Sequence, residues 1–137
     1  MRKFCGRTGA VIIALPLAGA PGCRGVDADQ GQRGDTRATY RYRRLSADLP
    51  VSVRVPAVVA AAEATLRGRG YTVTAAGTTE DKGHVDATPA QAGALESVRV
   101  GVRQSSAGTR IEIVVEPAGD QVRSRAILDS ILATLGI

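Results

Sequence analysis

Thiols, imidazoles and aromatic rings are scarce in this 137-residue chain, and each scarcity removes a class of function. There are two cysteines, Cys5 and Cys23, one histidine, His84, and no tryptophan. A tight zinc site needs three or four converging ligands, and this inventory does not supply them. The same His84 would have to serve any histidine-based triad, and no serine sits in a G-x-S-x-G turn. No catalytic residue, metal site or cofactor is therefore expected, and the chain reads as a non-enzyme. Single-strand nucleic-acid binders stack bases on aromatic platforms; beyond Phe4 the chain has only Tyr40, Tyr42 and Tyr71. A long apolar run is missing too. The longest, Ala10 to Ala20, has about 11 residues and is interrupted by Pro16, against roughly 20 for a spanning helix.

That short run is the middle of a leader. Arg2, Lys3 and Arg7 form a basic head, the apolar stretch follows, and Ala18-Gly19-Ala20-Pro21-Gly22 leads to Cys23. This is the three-part layout of a secretory signal, and the small residues before a cysteine resemble the attachment site of bacterial lipoproteins. In that class the signal is cut just before the cysteine, whose thiol carries diacylglycerol and whose new amine is acylated. Ala18-Gly19-Ala20 also satisfies the A-x-A rule for ordinary cleavage, but it places the rigid ring of Pro21 directly after the scissile bond. The expectation is a signal peptide over 1–22, lipid attachment at Cys23 and a membrane held through that anchor. Arg24 is not the aspartate that commonly retains lipoproteins at the inner membrane.

Cleavage changes the charge balance. The whole chain carries +5, but three of its 18 basic side chains leave with the leader, and 15 against 13 acidic ones remain. A formal +2 does not argue for nucleic acid. Cys23 becomes the single thiol, so no internal disulfide forms and the fold must hold by its core.

Residues 24–38 (RGVDADQGQRGDTRA) contain one sizeable apolar side chain, Val26. Such a segment cannot offset its ordering entropy and reads as a flexible tether. Arg33-Gly34-Asp35 within it spells an integrin-type tripeptide, a three-letter match of the kind chance supplies. From Thr39 to Ile137 the chain is long enough for one domain, expected to be monomeric.

Within 39–137 the elements follow from periodicity. A strand opens over Tyr40 to Ala47 and breaks at Asp48-Leu49-Pro50. Pro56 suits a first helical turn, and the alanine-rich run to Leu66 places Val59, Ala62 and Leu66 on one face; Gly68 and Gly70 end it. Gly68-Arg69-Gly70 follows a helix, whereas a phosphate loop follows a strand, so it is a helix stop. Tyr71 to Ala75 alternates, with Val85 and Ala87 answering across a charged turn. Val98, Val100 and Val102 then face Ile111, Ile113 and Val115 across a Ser105–Gly108 loop. Pro117-Ala118-Gly119 stops the sheet. Asp120 suits the N-cap of a last helix carrying Ser124, Ile127, Leu128, Ile131 and Leu135. The order β-α-β-β-β-β-α predicts an α+β fold: a mostly antiparallel five-stranded sheet with two helices packed on one face.

The LRGRGYTV stretch from Leu66 to Val73, Gly83 opening a strand, the valine–isoleucine hairpin, and Gly119-Asp120 followed by Ser124 and Ile127-Leu128 together resemble a family of small bacterial lipoproteins. That family is catalogued as domain of unknown function 3568. The resemblance covers most of residues 39–135 and rests on pattern and order, and Pro21 departs from the family's usual lipidation site. It implies an exported, lipid-anchored α+β domain, by family analogy at the outer membrane facing the periplasm where the source has one, and brings no activity or catalytic residues.

Two features remain as candidate chemistry. His84 and Asp86 share a strand face, but two ligands make no tight metal site. Arg41, Arg43 and Arg44, with Tyr40 and Tyr42, form the densest basic cluster, suited to anionic headgroups or an acidic partner, or else to guarding an edge strand. Arg103 is expected diagonal to Glu112, and Arg99 to Glu116, on the face away from the helices. Arg41, Arg43, Arg44, Arg99 and Arg103 are thus the candidate interaction surface for an envelope protein partner. The function expected is binding within the cell envelope; the alternative is a periplasmic small-ligand binder or enzyme accessory using a cleft between sheet and helices.

Overall fold

A computed structural model describes residues 28–29, 36–91 and 95–137. The expected leader, Cys23 and the Arg-Gly-Asp tripeptide lie outside the described residues. Two helices and one antiparallel sheet make up the fold, in the order β1 (Ala28–Asp29), β2 (Ala38–Arg41), β3 (Arg44–Leu49), α1 (Val55–Gly68), β4 (Tyr71–Thr78), β5 (Lys82–Pro89), β6 (Ser97–Ser105), β7 (Gly108–Glu116) and α2 (Gln121–Leu135). The sheet runs β1-β2-β3-β7-β6-β5-β4. Counting strands of four residues or more it has six, one more than the five expected, with the two-residue β1 at its edge.

The extra strand comes from the opening segment. Periodicity predicts one strand over Tyr40 to Ala47; the segment is instead the hairpin β2–β3, turning at Tyr42 and Arg43, with φ of 49° and 64°. Turns of this hand favour Asn-Gly or Gly because bulky residues resist positive φ. The Arg43 guanidinium donates to the Pro117 carbonyl at 2.8 Å, a tertiary bond that holds the turn. Asp48 and Leu49 continue β3, and Leu49 is buried, so the break falls at Pro50.

The ordered domain also begins before Thr39. Ala38 is 2% exposed and belongs to the core, Thr36 is 5% exposed, and Ala28 and Asp29 pair with Tyr40 and Thr39. A chain cut at Thr39 would lose these contacts.

The rest follows the periodicity. Pro56 lies in the first turn of α1, which buries Val59, Ala62 and Leu66. Gly70, at φ +82°, turns the chain into β4. Strands β4 to β7 form a meander, and β7 then pairs with β3, so α1 carries the chain from the middle of the sheet to its far edge. In the last hairpin Val98 faces Val115, Val100 faces Ile113 and Val102 faces Ile111, the expected register. A bulge between Val73 and Ala75 breaks the alternation of β4. The Asp120 carboxylate accepts from the Arg123 amide at 2.8 Å and caps α2.

Every second side chain of β3, β5, β6 and β7 joins Val58, Val59, Ala62 and Leu66 of α1 and Ile127, Leu128, Ile131 and Leu132 of α2 in one core. α1 packs on β4, β5 and β6, and α2 on β3 and β7. The other face of the sheet carries no layer among the described residues.

Candidate interaction face

The strand alternation that fills the core turns the remaining side chains to the open face, and the register sets them in rows. Arg41 stands beside Arg44, Arg44 beside Val114, Val114 beside Arg99, and Arg99 beside Asp86. The next row runs Ser46, Glu112, Gly101, His84 and Gly77. A third runs Asp48, Arg110, Arg103 and Lys82.

Opposite charges interlock across these rows. Glu112 sits between Arg44 at 3.1 Å and Arg103 at 3.3 Å. Arg99 reaches Asp86 at 3.0 Å and Glu116 at 3.8 Å. Arg110 grips Asp48 with two bonds, of 2.7 and 2.9 Å, and this guanidinium holds the Asp48 carboxyl below its usual range. Both diagonal pairs expected from the sequence are present. The pairs are largely exposed, so each contributes only about 0–1 kcal/mol. Their value lies in charge pattern more than in stability.

Four of the five candidate arginines, Arg41, Arg44, Arg99 and Arg103, share this face. Arg43 does not; it sits in the turn with its head on Pro117. His84 and Asp86 do face the same way, but Asp86 is engaged by Arg99, and the imidazole lies over Gly77, where a Cβ would come within 2.8 Å of His84 Cε1. Gly101, on the other side of His84, has open space above it. Among the described residues no three His, Cys, Asp or Glu side chains gather as a metal site, and no helix is long and apolar enough to cross a membrane.

One polar cluster escapes the sequence reading. The Tyr71 hydroxyl donates to Glu96 Oε1 at 3.0 Å, and Arg123 donates to Glu96 Oε2. Together with Arg69, Pro89 and Gln91 they line a depression of about 610 Å³ where the sheet meets α2. Tyr71 and Glu96 lie 25 residues apart, so no local spacing reveals the pair. Burial, reinforced by the neighbouring Glu96, raises the Tyr71 phenol above its ordinary value. The folded state thus holds this proton more tightly than the unfolded one. Its stabilisation is complete below about pH 10 and is lost as pH rises from there through the folded value. Tyr71→Phe should flatten the alkaline decline of the melting midpoint; an unchanged decline would show that the phenol does not couple to folding.

No model of a known protein family matches the chain, and no curated protein matches it. Fold and face together define, among the described residues, a two-layer α+β domain whose second sheet face is charged and carries no further layer.

Proposed function

We propose that this is a lipid-anchored bacterial cell-envelope protein that works by binding, with the open sheet face as its docking surface for another envelope protein. One observation carries the binding role: the side chains of that face take no part in the core, yet they form an ordered array across five strands. Arg41, Arg44, Arg99, Arg103, Arg110 and Lys82 outnumber Asp48, Asp86, Glu112 and Glu116 there, which favours an acidic partner surface. The leader, Cys23 and the resemblance to the lipoprotein family of unknown function support export and anchoring, and the family analogy favours the outer membrane. Small-ligand binding ranks second. Its best support is the depression at Tyr71, but Tyr71, Glu96 and Arg123 bond to one another there.

Two variants test the two halves of this reading. Cys23→Ser should release the protein from the membrane fraction and abolish the acyl-dependent change in electrophoretic mobility. Reversing both Arg99 and Arg103 to Glu should shift the melting midpoint by only a few degrees, in line with about 0–1 kcal/mol per exposed pair, while abolishing crosslinks to envelope partners made by the lipidated protein. Unchanged membrane association in the first variant, or unchanged crosslinks in the second, would refute the corresponding half.

A further inference from the structure

The turn of the β2–β3 hairpin adds to Arg41 and Arg44, at the edge of the open face, features that the face itself does not use. Tyr42 is 98% exposed, so its ring is held out into solvent at a position where positive φ already strains it. Arg41, Arg43 and Arg44 surround it. Leu95, 93% exposed, lines the same groove of about 480 Å³ together with Tyr42, Arg43, Arg44, Val114 and Pro117. Val122, 79% exposed, stands in the first turn of α2, just beyond Gly119, which packs against the Arg43 stem. Three of the five large exposed apolar side chains among the described residues thus gather at one end of the sheet; Val51 and Ile137 are the others.

The chain direction puts the anchor at that same end. β1 runs from Ala28, opposite Tyr40, to Asp29, opposite Thr39, so its amino end faces the turn. Cys23 is five residues before Ala28. Even fully extended, those residues span at most about 18 Å. An acylated Cys23 therefore keeps Ala28, which pairs with Tyr40 beside the turn, within that distance of the lipid headgroups.

We propose that the hairpin tip docks on the anionic phospholipid surface in which Cys23 is anchored, an inference that rests on the lipidation reading above. Arg41, Arg43 and Arg44 match phosphate oxygens. Tyr42, with an apolar ring and a polar tip, suits the headgroup layer, and Leu95 and Val122 border it. Among the described residues the acidic groups named at this end are engaged: Glu116 with Arg99, Glu96 with Tyr71 and Arg123, and Asp120 with the Arg123 amide. A short tether and a second, electrostatic contact cooperate because the first makes the second intramolecular. Docked in this way, the strands stand end-on to the membrane and the charged sheet face looks sideways, clear of the lipid.

The test uses the processed chain from residue 23 carrying Cys23→Ser, so that binding reports the tip and not the acyl chains. It is sedimented with vesicles of phosphatidylglycerol mixed with phosphatidylcholine, and with vesicles of phosphatidylcholine alone. Binding is expected only with phosphatidylglycerol and should weaken as salt rises. The triple change Arg41→Gln, Arg43→Gln and Arg44→Gln should cut it about a hundredfold, at roughly one kcal/mol per basic side chain. Tyr42→Ser, which keeps the charges, should cut it less. Arg99→Gln with Arg103→Gln is the control and should leave it unchanged, and thermal melts check that each variant is folded. Equal binding to both vesicle types, or equal binding by the triple variant, would overturn the proposal. An equal loss in the control would instead assign the anionic surface to the sheet face, the outcome expected of an acidic protein partner. Acylation is read separately, as the mass of the protein recovered from cells. An unmodified Cys23 would remove the anchor, and a failure on vesicles with Cys23 acylated would remove only the docking tip.

Discussion

Gly108→Ala should lower the melting midpoint by roughly 12–24 °C, corresponding to at least about 3 kcal/mol of a domain's usual 5–15. Gly108 opens β7 at φ +129°, a conformation that side-chain-bearing residues hold at a cost of about 1–3 kcal/mol. A Cβ there would lie 2.2 Å from the backbone carbonyl oxygen of Leu49. That oxygen cannot swing aside like a side chain, because Leu49 is locked in β3 opposite Thr109. Either β3 or β7 must move, and both line the core. Gly101→Ala provides the comparison, since its Cβ would meet nothing within 4 Å; it should be neutral or stabilising by up to about 1 kcal/mol. Thermal melts of the two variants measure the contrast. Coincident curves would mean that the β3–β7 contact does not support the fold.

Ile113→Ala should cost about 2–5 kcal/mol, whereas Val114→Ala, one residue along, should cost under about 1 kcal/mol. Ile113 is buried, flanked by Leu45 on β3 and Val100 on β6. Removing its outer carbons leaves a hole that neighbours held on two sides cannot fill. Val114 points the other way, between Arg44 and Arg99, and is only half-buried. Denaturant titration of both variants measures the difference. Equal losses would show that the open face is packed against something in solution and is not a surface at all.

What the sequence reveals about this fold depends on how local the cause is. The β6–β7 register is legible because three valines at alternate positions can be buried only opposite Ile111, Ile113 and Val115. The ion pairs of Arg99 and Arg103 follow from that register without further information. The hairpin at Tyr42 and Arg43 is not legible. Its turn lacks the Gly or Asn that would advertise it, and it is held by Pro117, 74 residues away in sequence from Arg43. Ala38 and Thr36 are hidden for another reason: they are small or polar residues among charged ones, so composition masks their burial. The Tyr71–Glu96–Arg123 cluster has distant partners and a joining segment without periodicity. Of the candidate surface, Arg99 and Arg103 stand where the alternation of β6 puts them; Arg41 and Arg44 share that face only because the unforeseen hairpin pairs them, and Arg43, in its turn, leaves it.

The two-layer build also has an evolutionary consequence. In β7, Ile111, Ile113 and Val115 support folding, while Arg110, Glu112 and Glu116 meet the outside. These two sets alternate along one backbone and point to opposite sides of the sheet, so an outward side chain can change without altering what fills the core. Selection can rewrite what the outward set recognises, residue by residue, while the inward set keeps the scaffold. Descendants of such a domain can therefore diverge in partner long before they diverge in shape.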